Sequence, residues 1–390
     1  MGGLYSSAAE AFSLTQGGPL HRLQVRLGRS GSQRERVARR ALLATLITWL
    51  PLFIFSLIQG LAYGKQVRIP FVLDFAVNVR FLVALPILIL AESRIDQRWR
   101  TLVLQFLRSR LVNEAELPSF EAVIGKITRL RDRLLPEAVM LLLAYIPAST
   151  SSELLLTASN WHSLATGAPS LAGRWFRLVS QPFFRFLLLR WAWRMFLWTL
   201  FLWRASRLNL HLVATHTDMA AGLGFLSQGQ KAFSPIVFAL GAVISGEIGN
   251  AIAYEGSTLS SLKLPMIAYG VMAILFLVAP LLVVLPVLHQ TKRKALLEYG
   301  ALVTNHDQLF DCKWIHGEHA SGEVILGNHD ASSLADLGVS FVVVREMRLV
   351  PIDKSTLIVL AVAAALPMAP VVFIATPTDE LVRAVLKMLG

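Results

Sequence analysis

The sequence predicts an all-α, polytopic membrane protein of about seven transmembrane helices with amphipathic helices on its cytoplasmic side. Three observations predict this class. The 390 residues are 55% hydrophobic with a mean hydropathy of +0.57, and only 16% are charged, against about 25% in an ordinary soluble domain. The apolar residues gather in blocks of ~20, the length that crosses ~30 Å of hydrocarbon. The segments between the blocks concentrate Lys and Arg on one side, as cytoplasmic loops do.

That asymmetry accounts for the net charge of +12 and the pI near 10.2. No aromatic-rich basic module accompanies it, so nucleic acid is not an expected partner. A single cysteine, Cys312, excludes an intrachain disulfide. The first 40 residues lack the apolar stretch of a signal peptide, so the first span is expected to act as its own insertion signal.

Residues 1–40 read as a basic arm: Arg22, Arg26, Arg29, Arg34, Arg36, Arg39 and Arg40 face only Glu10 and Glu35. Such an arm is expected in the cytoplasm, against the lipid bilayer and its anionic headgroups. A transmembrane domain, 41–289, follows with six spans. Span 1 is 41–62 and contains Pro51, tolerated in a membrane helix when neighbours re-satisfy the freed carbonyl. After a short outer loop, span 2 is 69–91. Residues 92–133 are charged but place Trp99, Leu102, Val103, Phe106 and Leu107, then Val123, Ile127 and Leu130, at helical spacing. They predict a cytoplasmic helical hairpin.

Span 3, 134–150, is the shortest, with Pro136 suited to a first turn and Glu137 at its inner end, solvated or paired with an arginine. The outer segment 151–180 carries Trp161, Trp175 and Phe176, residues suited to an interface. Span 4 is 183–203. A loop, 204–231, leads to span 5 at 234–254, and span 6 is 264–289. A cytoplasmic region, 290–354, opens with a helical pattern over 295–316; 322–330 suggests a turn and short extended run, and 335–344 is ambiguous. Span 7 is 355–376, and 377–390 forms an amphipathic tail. No internal repeat is visible, which weakens an inverted-repeat architecture.

Ionisable groups inside a span are costly unless paired or water-lined. Arg80 lies near the middle of span 2, ~16 Å from either end at ~1.5 Å per residue, too deep to snorkel easily. Glu247, in Ser245-Gly246-Glu247-Ile248-Gly249-Asn250 of span 5, is its natural partner, and the glycines permit close helix approach. Asn250 shares the Glu247 face. Asp74 and Asn78 share a face of span 2, with Asp74 near enough to the outer surface to be solvated. Arg190 and Arg194 share a face of span 4 among Trp191, Trp193 and Trp198, where snorkelling or cation–π contacts are expected. A structural Arg80–Glu247 bridge and a ligand site walled by these residues both remain open. Counting Arg80, Arg190 and Arg194 against Glu247, a substrate there would be anionic.

Loop 204–231 contains Thr215, His216, Asp218, Gly222 and Gly224. These suit a tight capped turn; His216 and Asp218 could also relay a proton, but two ligands make no metal site. Here the chain resembles a family of uncharacterised bacterial multi-span inner-membrane proteins. That family is similar in an Arg-Leu-x-Leu stretch followed by Thr-His-Pro-Asp and Gly-Gly-Leu-Gly-Phe-Leu. This chain keeps Thr215, His216, Asp218, Gly222, Leu223, Gly224, Phe225 and Leu226, and departs at Thr217, where the pattern has Pro, and at Ala221, where it has Gly. A second similarity runs through Ser333 to Gly338, then Met347-Arg348 and Val350-Pro351. The resemblance implies no activity; it marks His216, Asp218 and the inner loops as places to look.

The cytoplasmic region holds His306, His316, His319 and His329 near Asp311, Cys312 and Asp330. These are zinc-type ligands, but there is no Cys-x-x-Cys and only His316/His319 are spaced as His-x-x-His, so neither a metal nor another cofactor is expected. Nucleophile-elbow, zincin and Walker motifs are absent. The leading expectation is a channel or transporter with a polar intramembrane site. An assembly or signalling partner, including a homo-oligomer, and a membrane-embedded enzyme on lipid-linked substrates, with His216 and Asp218 as base and orienter, are the alternatives.

Overall fold

Apolar runs with helical periodicity become helices throughout. A computed structural model describes residues 6–18, 33–64, 66–146, 159–164, 167–317, 325 and 328–371. Among these, extended backbone pairs only in two isolated bridges, Ile69 with Asn160 and Ser163 with Pro169. The helices are α1 (Ser7–Glu10), α2 (Gln33–Ile58), α3 (Phe75–Arg108), α4 (Leu117–Arg131), α5 (Leu134–Tyr145), α6 (Leu171–Ala205), α7 (Phe225–Lys231), α8 (Ser234–Glu255), α9 (Lys263–Leu282), α10 (Leu285–Phe310), α11 (His329–Glu346) and α12 (Lys354–Ala365). Among the described residues, six stretches are long and apolar enough to cross a membrane: Glu35–Ile58, α3, α6, Phe225–Glu255, α9 and Lys354–Val371. The chain is a polytopic helical protein.

Two of the long apolar helices carry an internal π turn, Arg80–Ala84 in α3 and Phe176–Ser180 in α6, and a third, Asp311–Ile315, follows α10. Each of the first two precedes a proline, Pro86 and Pro182, within the next helical turn. A proline offers no N–H and crowds the carbonyl four residues back; one extra residue in that turn relieves both. The expected span boundaries therefore fall inside longer helices. The first amphipathic segment of 92–133 is no separate helix but the continuation of span 2, because nothing between Ala91 and Arg108 breaks the α-helix.

That continuation buries Trp99, Leu102, Val103, Phe106 and Leu107, the face its spacing marks. They meet Trp198 and Phe201 of α6, Phe120 of α4, Phe225 of α7 and Phe233, with ring centroids 5.2–6.1 Å apart. Burying each such side chain contributes roughly 1.5–3 kcal/mol. Residues 6–18 complete this core and are not a free arm. Phe12 packs on Phe201 at 5.4 Å, and Asp96 accepts hydrogen bonds from Ser13 Oγ at 2.8 Å, Leu14 N at 2.8 Å and Thr15 N at 3.0 Å. Arg131 of α4 donates to the Ser13 carbonyl at 2.6 Å. Sequence composition concealed this, because its buried apolar residues, Ala9, Phe12 and Leu14, are few and set among small and polar ones. Of the arginines of the expected arm, Arg22, Arg26 and Arg29 lie outside the described residues, and Arg36, Arg39 and Arg40 belong to α2.

Asp74 caps α3 and Asp96 lies 22 residues further on, about 33 Å along the axis at ~1.5 Å per residue. The third expected span is not among the six: of 134–150 the helix covers Leu134–Tyr145, too short to cross ~30 Å of hydrocarbon by itself. Asp132, just before α5, accepts from Gly18 N at 2.9 Å, on the Asp96 side. Beyond α5, Asn160 pairs with Ile69 on the Asp74 side. Between them α5 has 12 residues, about 18 Å of helix, and runs antiparallel to α6. Tyr145 donates to the Leu178 carbonyl at 3.2 Å and Arg185 to that of Ile146 at 2.9 Å. Residues 147–150 of the expected span lie outside the described residues. Glu137 is buried and interacts with Arg190, the paired alternative rather than the solvated one.

At the other end of the chain, α10 begins at Leu285, ten residues before the pattern that predicted it, and pairs with α11 as a helical hairpin. The ambiguous 335–344 lies within α11, capped by Asn328. Hydrogen bonds from Lys313 and Trp314 join the hairpin ends and hold the Asp330 carboxyl below its ordinary value. Most of 322–330 and the whole of 377–390 lie outside the described residues.

Candidate functional site

At the Asp74 end, polar groups close on one another. Asp74 is buried, not solvated as its position suggested: its carboxylate accepts from Trp161 Nε1 at 2.8 Å, Asn250 Nδ2 at 2.9 Å and Val77 N at 3.1 Å. Asn250 Oδ1 in turn accepts from Phe75 N at 2.9 Å. Asn78 is saturated: its Nδ2 donates to the carbonyls of Phe71, Val72 and Asp74, and its Oδ1 accepts from Trp49 Nε1 at 2.8 Å. Each donor is a residue whose buried N–H needs a partner. His162 stacks on Trp161 with centroids 3.8 Å apart. Burial pushes its imidazole down to about 4, Arg80 and Arg177 acting in the same direction against Asp74.

One and a half turns along α3 from Asp74, the Arg80 guanidinium pairs with the Glu247 carboxylate of α8. Gly246 makes the pair possible. A Cβ there would stand 2.9 Å from the Phe75 carbonyl oxygen and 2.9 Å from Ala76 Cα, so only glycine lets α8 close on α3. The two partners are unequally enclosed. The Arg80 side chain is 9% exposed, with Phe184 at 5.9 Å, whereas the Glu247 side chain is 25% exposed. Glu247 belongs to a half-buried stripe of α8 with Leu240, Val243, Ala251 and Tyr254, residues three or four apart that share one face.

Arg190 and Arg194 do not join that pair. Arg194 is buried and donates to Glu92 Oε1 at 2.9 Å; Arg40 of α2 donates to Glu92 Oε2 at 3.0 Å. Glu92 lies twelve residues beyond Arg80, about 18 Å along α3. Arg194 also faces the Trp191 ring at 4.9 Å, and its Nη2 is buried without a hydrogen-bond partner. Arg190, one turn away over Phe186 at 6.0 Å, interacts with Glu92 and Glu137. The expected single site is therefore two: a neutral Arg80–Glu247 pair, and a cluster of three arginines around two glutamates. Glu92 escaped notice because a charge immediately after an apolar run reads as the end of a span.

In the loop, Asp218 organises the backbone. Its Oδ1 accepts from Ala220 N at 2.8 Å and Gly222 N at 3.1 Å, and its Oδ2 from Gly224 N at 2.8 Å. His216 Nδ1 lies 3.0 Å from the same carboxylate. Thr215 is half-buried at the start of the turn. Met219, Ala221 and Gly222 all have positive φ. The two similarity strings meet here: Arg348 N donates to the Met219 carbonyl at 2.7 Å and Arg348 Nη2 to that of Asp218 at 2.8 Å. Arg348 was not among the expected site residues; its string entered only as part of the resemblance. This geometry ties a loop to the start of α12; what it does chemically is hold backbone.

Among the described residues, no three His, Cys, Asp or Glu side chains gather as a metal site; His319 lies outside them. Compared with known proteins, the chain matches no family model, no curated sequence and no solved structure.

Proposed function

We propose that the protein is a channel or transporter of a bacterial inner membrane, its N-terminus cytoplasmic, and that its solute is an anion exchanging with Glu247 on Arg80. The observation that carries this reading is the unequal enclosure of the pair. A guanidinium fixed in the protein cannot be left bare in a low dielectric. Its partly open carboxylate can be replaced by another anion, so that Arg80 is never unpaired. The half-buried stripe of α8 supplies the approach, and the excess of arginine at the second cluster supplies a further station, where Arg194 Nη2 awaits an acceptor. Membership in the bacterial family that the Thr215–Leu226 motif resembles is part of the same reading.

Flux of chloride, phosphate and small carboxylates into proteoliposomes tests it. Arg80→Gln is expected to abolish wild-type flux at least tenfold, and Glu247→Gln to alter the concentration dependence while the protein still folds. Flux unchanged in Arg80→Gln, or indistinguishable from empty vesicles in the wild type, overturns the reading.

One observation favours a second reading, assembly through the cytoplasmic hairpin, in which a homo-oligomer forms. Leu297, Leu302 and Leu309 of α10 and Val339 of α11 are exposed, more apolar surface than a solvated hairpin needs. Leu302→Ser with Leu309→Ser would dissociate an oligomer held this way and leave flux per subunit intact.

A further inference from the structure

A second polar feature lies apart from both clusters. The last turn of α6, the segment after it and the start of α10 border an open cavity of about 810 Å³. Its position is set by two apolar helices ending side by side: α6 stops at Ala205 and α9 at Leu282, with Val283 and Val284 between α9 and α10. If α6 and α9 cross a membrane, as their length and composition allow, these ends fall at the headgroup layer. Trp203 and Leu282, beside the opening, are exposed, and tryptophan at that level is an interfacial anchor.

The walls divide by chemistry. Leu208, Val283, Pro286 and Val287 make one side apolar, while Arg207 and Lys294 bring positive charge and Gln290 and Asn209 bring amides. No acidic residue lines the cavity; Glu298, 3.7 Å from Lys294 Nζ, is one turn further along α10 and is itself exposed. The Arg207 guanidinium lies over the Trp203 ring, its Cζ 4.5 Å from the centroid. Ser206 and Thr291 have their hydroxyls turned to the carbonyls of Trp203 and Val287, which leaves their oxygens as acceptors and the two cations as the dominant donors.

We propose that this cavity binds the phosphate headgroup of an anionic phospholipid from the adjoining leaflet. The phosphate sits between Arg207 and Lys294, and the glycerol and first methylenes lie on Val283 and Pro286. Basic pockets between spans at headgroup depth suit this chemistry, and a soluble phosphate ester would find the same cations but no use for the apolar wall. The site is independent of the transport reading and does not involve Arg80 or Glu247.

The test is intact-protein mass spectrometry of the detergent-solubilised full chain titrated with phosphatidylglycerol or phosphatidylcholine of equal acyl length, with glycerol 3-phosphate as a competitor. One phosphatidylglycerol is expected to bind about tenfold more tightly than phosphatidylcholine, with glycerol 3-phosphate failing to displace it at millimolar concentration. Arg207→Gln with Lys294→Gln should erase the preference. Arg293→Gln, removing an exposed neighbouring cation that does not line the cavity, should keep it. Equal binding of the two lipids, a preference that survives the double substitution, or displacement by glycerol 3-phosphate each overturns the proposal; the last identifies a soluble phosphate compound as the ligand.

Discussion

At the scale of single residues, the loop that joins α6 to α7 shows how a motif and a backbone constraint coincide. Asp218 gathers three N–H groups, and the turn it imposes drives Ala221 to a φ of 53°. A left-handed conformation costs a residue with a Cβ about 1–2 kcal/mol, which is why glycine suits that position. Ala221→Gly is expected to raise unfolding stability by about 1 kcal/mol, read as a shift in thermal melting of the solubilised protein. Asp218 and the glycines were legible because turn chemistry is local. Arg348 was not assigned its role, since the bond it makes spans 130 residues.

His162 gives a pH signature at the same scale. Its imidazole titrates near 6.5 when unfolded and about 4 in the fold. Between those values the unfolded chain binds more protons, so stability falls as pH drops from 6.5 toward 4. His162→Phe keeps the stacking on Trp161 and removes the titration. The melting temperature lost between pH 7 and pH 5 should be smaller in the variant; an unchanged loss would show that other groups carry the acid sensitivity.

Among elements, the contact of α8 with α3 decides whether the Arg80–Glu247 pair can form. Gly246 faces the Phe75 carbonyl with no room for a Cβ, whereas a Cβ at Gly249 would meet the Phe75 ring at 3.5 Å, an ordinary contact. Gly246→Val is expected to cost about 1–3 kcal/mol by overpacking and to part the ion pair, while Gly249→Ala is tolerated; comparative melting of the two variants checks this. The glycine spacing announced close approach but not which glycine mattered. Helix existence was legible from hydropathy and period. Helix ends were not: α3 continues past its apolar run on an amphipathic face that packs into the aromatic core, α6 begins at Leu171, ahead of its expected start, and α10 begins at Leu285, inside the expected sixth span. The docking of residues 6–18 on Asp96 was invisible for a related reason: it rests on a buried carboxylate meeting backbone N–H groups, which no periodicity records.

For the whole molecule, the chain passes repeatedly between the Asp74 and Asp96 ends, about 33 Å apart, with its interior charges gathered on the way into one ion pair and one arginine-rich cluster. The sequence identified Arg80 and Glu247 as groups that needed each other and expected Arg190 and Arg194 to snorkel or stack on tryptophan; instead Arg194 is buried on Glu92, about 18 Å along α3 from Arg80, in a second site. The central claim is that the Arg80–Glu247 pair is open to a solute. The most direct measurement is thiol accessibility on the α8 stripe in a Cys312→Ser background, which removes the sole native cysteine. Val243→Cys and Ala251→Cys would be compared with Ile248→Cys, which is 4% exposed in the fold, by reaction with a negatively charged methanethiosulfonate in proteoliposomes. The account predicts modification at 243 and 251, slowed by a transported anion, and none at 248. Absence of modification at both stripe positions would mean that Glu247 faces dry protein or lipid, and would contradict it.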